Sequence, residues 1–327
     1  MSKIKVGVLR GGPSGEYDVS LKTGANVISH LSHPKFEDKY HVHDIYISKD
    51  GTWHMYGVPV NPAEAAKKID VFFNALHGTY GEDGTIQKIL DAENTKYTGS
   101  GALGSALGMN KVLAKKVFKQ YDIKTPHHIV IEKGSDFDPL QIFRTFPMPA
   151  VVKPSSSGSS LGVSIVKNFE ALAPAIANAF EHDDVIIIEE FIMGVEAAVA
   201  VIDGFRGEDL YALPAIEIRH SREFFDYQAK YSDAKDGGSQ EIVPGNFTSQ
   251  EKIELERLAR EVHRALGLRH YSRVDFIVSP RRGIYALEAN TLPGLTDASL
   301  LPKAVQAVGA SMPDFLDHLV TLAYEGK

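Results

Sequence analysis

The sequence predicts a mixed α/β chain: a small parallel α/β domain followed by two α+β lobes. Three observations predict it. Strand and helix patterns alternate up to about residue 95. Later, two pairs of strand patterns are each joined by a short loop, as in antiparallel hairpins. The 327 residues are 43% hydrophobic and 24% charged, a globular balance with more chain than one ordinary core holds.

The bulk numbers exclude several functions. Lys and Arg total 35 against 42 Asp and Glu, a net charge of −7, so a general nucleic-acid binder is not expected, although one basic pocket for a nucleotide is compatible. With 0 Cys, disulfides, thiolate catalysis and Cys-based zinc sites are ruled out. No apolar run approaches the roughly 20 residues of a membrane helix. Met1 leads directly into a strand pattern with no signal-like region. A soluble, cytoplasmic protein without a membrane partner is expected.

Residues 4–9 read as a strand, and Gly11-Gly12-Pro13-Ser14 as a turn with Ser14 as N-cap. A helix follows to Leu31, then strands at 42–47 and 71–76. Behind Glu82-Asp83-Gly84 a helix carries Ile86, Ile89 and Leu90 on one face. These elements make an N-terminal domain of residues 1–96.

After the linker Tyr97–Gly101 come one helix over 104–121, with Lys111 in its second turn, and strands near 127–131 and 149–153. A Gly/Ser loop at 154–162 joins Val151-Val152-Lys153 to the strand at 163–166 as a hairpin with a mobile tip. A helix at 169–181 and strands at 185–190 and 196–202 complete a central lobe, 97–215. The third unit, 216–327, begins with a polar, aperiodic loop at 220–246. Thr248-x-x-Glu251 is a capping-box pattern, and the helix behind it stripes Leu255, Leu258, Ala259, Val262 and Leu266 on one side. Strands at 272–278 and 284–290 and two C-terminal helices end the chain.

The hairpin at 272–290 carries the sharpest local geometry. If Pro280-Arg281-Arg282-Gly283 closes it symmetrically, Asp275 faces Glu288 and Arg273 faces Asn290. Period-two alternation puts these four on one face, and Val274, Phe276, Val278, Leu287 and Ala289 on the core face. Facing carboxylates repel, and a hard cation relieves them, with Asn290 as a neutral oxygen ligand. Spacing alone leaves a second reading open: a solvated strand face with a salt bridge to Arg273. Magnesium with few protein ligands implies a triphosphate, and phosphates need cations and backbone donors. Lys153 ends a strand at the Gly/Ser loop, whose N–H groups and Ser157, Ser159 and Ser160 hydroxyls suit phosphates. A plain flexible hairpin is the other reading. For Lys111 it is a surface lysine, and for Glu189-Glu190 solubilising charge. No Walker A or Gly-x-Gly-x-x-Gly motif is present.

Together these segments resemble the D-alanine–D-alanine ligases, of the ATP-grasp fold. The resemblance runs from about Val6 to Val320, through residues 11–20, 77–84, 97–101, 153–162, 226–231, 273–276 and 288–296. It implies ATP as substrate, two magnesium ions (manganese as a substitute), D-alanine as ligand, a homodimer and a role in peptidoglycan precursor synthesis. Lys111, Lys153 and Lys230 would contact phosphates, with Ser159 and Ser160 over them. Glu189, Glu190, Ile192, Glu196 and Phe224 would line the adenine and ribose pocket. Asp275, Glu288 and Asn290 would hold the metal. Glu16 would bind the first D-alanine's ammonium, and Arg273 with the Gly294 N–H the oxyanion. Ser299 and the Leu300 backbone would hold the second carboxylate. Ser159 and Tyr231 would link with Glu16, and His77 would lie at the active site.

The chemistry is coherent. ATP converts a carboxylate into an acyl phosphate with a good leaving group. The second amine then attacks through an oxyanion that Arg273 would stabilise. The chain departs from the family pattern at Asn110 (commonly Asp), Tyr17 (commonly His or Arg) and Pro13. Tyr231 points to a dipeptide rather than a depsipeptide. Competing expectations are an ATP-grasp ligase with another amino-acid or hydroxy-acid second substrate, a nucleotide sensor, and a dinucleotide oxidoreductase. The sensor reading expects a lost metal ligand, and the oxidoreductase reading needs the absent glycine fingerprint.

Overall fold

The computed structural model describes residues 2–156, 158, 161–219 and 239–326. Among them, three sheets hold the molecule together. The N-terminal sheet has the order β4-β3-β2-β1-β5-β6. Its strands are β1 (Ile4–Gly11), β2 (Tyr40–Ile47), β3 (Trp53–Met55), β4 (Val58–Val60), β5 (Val71–Asn74) and β6 (Lys96–Tyr97). The pairs β1–β2, β1–β5 and β5–β6 are parallel, as the strand–helix alternation requires, but β3 and β4 extend the sheet antiparallel beyond β2, so the sheet is mixed rather than wholly parallel. Its helices are α1 (Tyr17–Leu31), α2 (Pro62–Ala66) and α3 (Thr85–Ala92). Ser14 is not the N-cap of α1. Glu16 holds that position, and Ser14 Oγ accepts from the Glu16 N–H at 3.0 Å.

The expected helix over 104–121 is two helices, α4 (Ala102–Met109) and α5 (Lys111–Gln120). Asn110 is extended between them (φ −90, ψ 104), closing α4 and capping α5 through a bond from the Leu113 N–H at 3.0 Å. Lys111 therefore opens a helix rather than sitting in a second turn.

The second sheet, order β7-β10-β8-β9, comprises β7 (His128–Glu132), β8 (Ala150–Pro154), β9 (Ser164–Val166) and β10 (Val185–Glu190). The helices α6 (Pro139–Thr145) and α7 (Phe169–Phe180) belong to this part of the chain. β8 and β9 are antiparallel, so the Gly/Ser loop does join a hairpin.

The third sheet contains β11 (Val195–Asp203), β12 (Leu210–Ala212), β13 (Ile216–Arg219), β14 (Gln240–Ile242), β15 (Tyr271–Ser279) and β16 (Gly283–Asn290). β11 pairs with β15 over eight positions from Val195↔Val278 to Ile202↔Tyr271. The change of sheet thus falls between Glu190 and Val195, and the expected lobe boundary at 215 lies inside one sheet. An alternating strand signal does not reveal which neighbour a strand will pair with.

Helix α8 (Ser249–Ala265) lies between β14 and β15, and α9 (Leu300–Ala307) and α10 (Met312–Glu325) follow β16. The Thr248–Glu251 capping box is formed at α8, whose Leu255, Leu258, Ala259 and Val262 are buried. Helix α10 packs against β5 and β6 of the N-terminal sheet, and α9 against β11. Val6, Val8 and Val71 share one core with Tyr271, Leu301, Phe315 and Leu319. At its edge Asp317 Oδ1 accepts from Lys39 Nζ at 2.6 Å and from the Tyr40 hydroxyl at 2.8 Å.

Candidate active site

One cleft opens between the second and third sheets. Val151, Lys153, Glu189, Glu190 and Ile192 line it from one side, and Glu196, Asp275, Ile277, Leu287 and Glu288 from the other, with Lys111 at its end. Apolar walls with a few convergent charges are the usual make-up of a ligand site.

The β15–β16 hairpin builds the acidic wall. Asp275 faces Glu288 and Arg273 faces Asn290, as the sequence predicts. The register is right because two departures cancel. The turn is one residue tighter than assumed, pairing Ser279 with Gly283, and a bulge at Asp275/Phe276 restores the count. Phe276 faces Ala286 and Asp275 faces Glu288, so Leu287 is the extra residue. It was expected in the core; the bulge turns it into the cleft beside Glu288.

Every expected cation and anion here has a partner. Arg273 grips Asp275 with two parallel bonds, Nε to Oδ1 at 2.7 Å and Nη2 to Oδ2 at 2.8 Å. Burial alone would depress the guanidinium pKa, but Asp275 outweighs it and raises it further. Lys111 Nζ lies 3.2 Å from Glu288 Oε2. The Lys111 N–H donates to the Ser155 carbonyl at 2.8 Å, tying the start of α5 to the Gly/Ser loop. Asn290 Oδ1 accepts from the Leu292 N–H at 3.0 Å. That carbonyl oxygen keeps a second lone pair for a ligand. Three oxygen-bearing side chains on one β-ribbon are a donor set suited to a hard cation.

On the opposite wall Glu189 is 2% exposed and binds two lysines. Lys153 Nζ is 2.8 Å from Oε2 and Lys115 Nζ 2.8 Å from Oε1. Burial would raise the Glu189 pKa, but the two ammonium groups reverse that and hold it ionised. Lys153 is likewise pushed down by burial and up by Glu189 and Glu288, with a net rise. Lys115 did not emerge from the sequence. Its signal was the four-residue spacing from Lys111, which puts both on one helix face. Glu190 lines the cleft and also reaches the hairpin turn. Its carboxylate accepts from Arg282 at 2.8 and 3.1 Å and from the His127 N–H at 3.0 Å.

A second group lies toward the N-terminal sheet. Glu16, His77 and Glu82 bring ligand atoms within 4.8 Å of one another. Burial, then the charge of Glu82, raises the Glu16 pKa above its ordinary value. Both His77 nitrogens are engaged, Nδ1 with Glu82 at 3.2 Å and Nε2 with Thr23 Oγ1 at 2.9 Å. Glu82 also accepts from the Gly78 N–H at 3.0 Å. Gly78 has φ +73, and a Cβ there would strike Ser14 Oγ, so only glycine fits. Gly158 of the Gly/Ser loop sits against this group: a Cβ on it would lie 3.2 Å from Glu16 Oε1.

Gly294 and Ser299 are adjacent, since a Cβ on Gly294 would fall 2.8 Å from Ser299 Oγ. Ser299 precedes α9, and its hydroxyl pairs with Thr296 Oγ1 at 2.8 Å rather than capping the helix. The first-turn N–H groups, beginning at Leu300, are left for an anion. The expected site residues Ser159, Ser160, Phe224, Lys230 and Tyr231, with Ser157, lie outside the described residues.

A family model described as D-ala D-ala ligase C-terminus matches residues 117–321. One for the D-ala D-ala ligase N-terminus matches residues 5–62 and 54–100. The chain is 39% identical over 319 residues to a D-alanine–D-alanine ligase of Geotalea uraniireducens, covering 98% of this chain and 95% of that one. Among solved structures it is similar to the VanG D-Ala:D-Ser ligase from Enterococcus faecalis (TM-score 0.85, 30% identity, 98% and 99% of the chains covered). It is also similar to the D-alanine–D-alanine ligase from Bacillus anthracis complexed with ATP (TM-score 0.82, 34% identity, 100% and 98% covered).

Proposed function

The chain belongs to the D-alanine–D-alanine ligase family, of the ATP-grasp fold, and from that membership we propose how its residues carry out the reaction. It is a ligase: ATP drives the joining of two D-alanines into D-alanyl-D-alanine, for peptidoglycan precursor synthesis. One observation supports the residue roles most. Asp275 and Glu288 face each other on a β-ribbon and share a cleft with Lys111 and Lys153.

Lys111 and Lys153, with Lys230, hold the ATP phosphates, and Ser159 and Ser160 close over them. Glu189, Glu190, Ile192, Glu196 and Phe224 surround the base and ribose. Asp275, Glu288 and Asn290 would hold two magnesium ions, for which manganese would substitute. When bound, the metal offsets charge on the transferring phosphoryl group. Glu16, beside His77, receives the first D-alanine's ammonium. That substrate's carboxylate oxygen attacks the γ-phosphorus of ATP, the β–γ bond breaks with ADP as leaving group, and the carboxylate becomes an acyl phosphate. Ser299 and the Leu300 N–H orient the second carboxylate at the start of α9. Its amine attacks the acyl carbon; Arg273 and the Gly294 N–H stabilise the resulting oxyanion before phosphate leaves. Ser159 and Tyr231, linked with Glu16, would exclude water from the acyl phosphate.

The polypeptide would work as a domain of residues 1–96 and two lobes meeting at the cleft, with the boundary near Glu190–Val195 supported by the sheet order. A homodimer built through the N-terminal domain fits the exposed Val58 in its edge strand β4 and the exposed Tyr56 just before it, and sedimentation would test it. No helix among the described residues is long and apolar enough to cross a membrane. Need for ATP argues for work in the cytoplasm.

The test is to follow ADP and dipeptide from D-alanine, ATP and Mg²⁺, with D-serine and D-lactate as rival second substrates. Glu288→Gln and Arg273→Ala should each lower kcat by about 10²-fold or more. Full activity in either variant would remove the assigned roles.

A further inference from the structure

We infer that Lys115 is a positioning residue for ATP, acting through Glu189 to leave the Lys153 ammonium available to phosphate. The inference rests on the nucleotide reading of the cleft. Lys111 and Lys115 stand one turn apart on α5. Each meets a carboxylate from a different wall: Lys111 meets Glu288 of the third sheet, and Lys115 meets Glu189 of the second. Lys115 has a fully buried side chain, and the cleft lining does not include it. It touches no ligand directly. Besides Glu189 its ammonium donates to Thr125 Oγ1, so the buried cation is hydrogen-bonded as well as paired.

The charge count gives this placement its purpose. Lys115, Glu189 and Lys153 form a buried chain of two cations about one carboxylate, carrying one net positive charge. With Lys115 absent, Glu189 and Lys153 would cancel as a private pair, and Glu189 would hold Lys153 away from the cleft. With Lys115 present, one Glu189 oxygen is taken from behind, and the surplus charge lies on the lysine that lines the cleft. The low dielectric of the interior magnifies the difference. Glu288, His128 and Lys153 are the other charged or titratable groups whose fields reach Lys115 or are altered by it.

The experiment measures binding of a non-hydrolysable ATP analogue with Mg²⁺ by calorimetry, alongside steady-state kinetics and melting temperature. Lys115→Met should weaken analogue binding and raise the ATP KM by about tenfold, with the D-alanine KM within about twofold of wild type. In a Glu189→Gln background the same substitution should change analogue affinity by less than about twofold, because nothing then tethers Lys153. Lys115→Gln, which still donates to Glu189 and Thr125 but is uncharged, covers the case in which the methionine variant does not fold. Its ATP KM should rise in the same way. Unchanged analogue affinity in a folded Lys115→Gln would overturn the inference, as would equal losses in both Glu189 backgrounds. So would a parallel rise in both KM values with a lowered melting temperature. Analogue binding reads the relay whatever acid and amine are joined. Loss of the ligase reading would show separately, as wild-type protein that binds the analogue but forms no ADP with D-alanine.

Discussion

Glu16 and Lys115 both sit where burial opposes their charge, and each makes a pH prediction. The Glu16 pKa is raised by burial and by Glu82, so the carboxylate that would receive an ammonium gains a proton at a higher pH than an ordinary glutamate. First-site D-alanine binding should weaken as pH falls through that raised value. The expected result is a D-alanine KM that climbs on the acid side in wild type, and a high, flat KM in Glu16→Gln. Lys115 shifts the other way: burial brings it down from 10.5 to about 8, against the pull of Glu189. Between those values the unfolded chain binds the extra proton, so this lysine's contribution to stability improves as pH rises through the window. The change is about 3 kcal/mol at most. Urea midpoints from pH 7 to 10 should carry this upward term in wild type and lack it in Lys115→Met. Arg273 and Asp275 were legible as neighbours on one strand face, because alternation fixes direction. Lys115 was not, because only the approach of β10 to α5 makes it more than another helix lysine.

At the scale of elements, single residues set where helices and strands aim their side chains. Asn110 divides α4 from α5, and its cap makes Lys111 the first residue of a helix. The departure from the usual Asp therefore keeps the capping oxygen. Asn110→Ala should cost about 1 kcal/mol and raise the ATP KM by tilting Lys111, while Asn110→Asp should match wild type in both. Denaturant midpoints and ATP kinetics on the two variants check this; an Asp variant as impaired as Ala would show that the cap does not matter. The hairpin teaches a related lesson. Its facing carboxylates were readable from spacing, but the bulge that turns Leu287 into the cleft was not. A bulge is a response to local twist and packing, and no residue in Gly283–Asn290 announces it.

The whole molecule is held by a core that ignores sequence order. Phe315 and Leu319 of α10 pack with Val6, Val8 and Val71 of the N-terminal sheet, so the two chain ends stabilise one another. Phe315→Ala, at a position with no exposure, should cost about 3–5 kcal/mol. The loss should appear as faster amide exchange in β1 and β5 as well as in α10. Exchange that quickens in α10 alone would show that the N-terminal sheet stands without it. The cleft has the same non-sequential character: β10 supplies Glu189 and Glu190, and β15–β16 supply Asp275 and Glu288 across from them. The Glu190–Arg282 pair ties the two walls at the turn.

Periodic and local features were legible along the chain. These include the parallel pairing of β2, β1, β5 and β6, the two hairpins, the capping box at Thr248, and the shared face of Arg273, Asp275, Glu288 and Asn290; the antiparallel β3 and β4 were not foreseen. Backbone geometry fixes those directions within a few residues. Its ordered motifs also determined the family. Tertiary structure alone decided pairings between distant segments: β11 with β15 rather than with the second sheet, α10 on the N-terminal sheet, and two buried lysines on one Glu189. Those depend on which surfaces bury most apolar area and satisfy most charge together, and no window along the chain contains both partners.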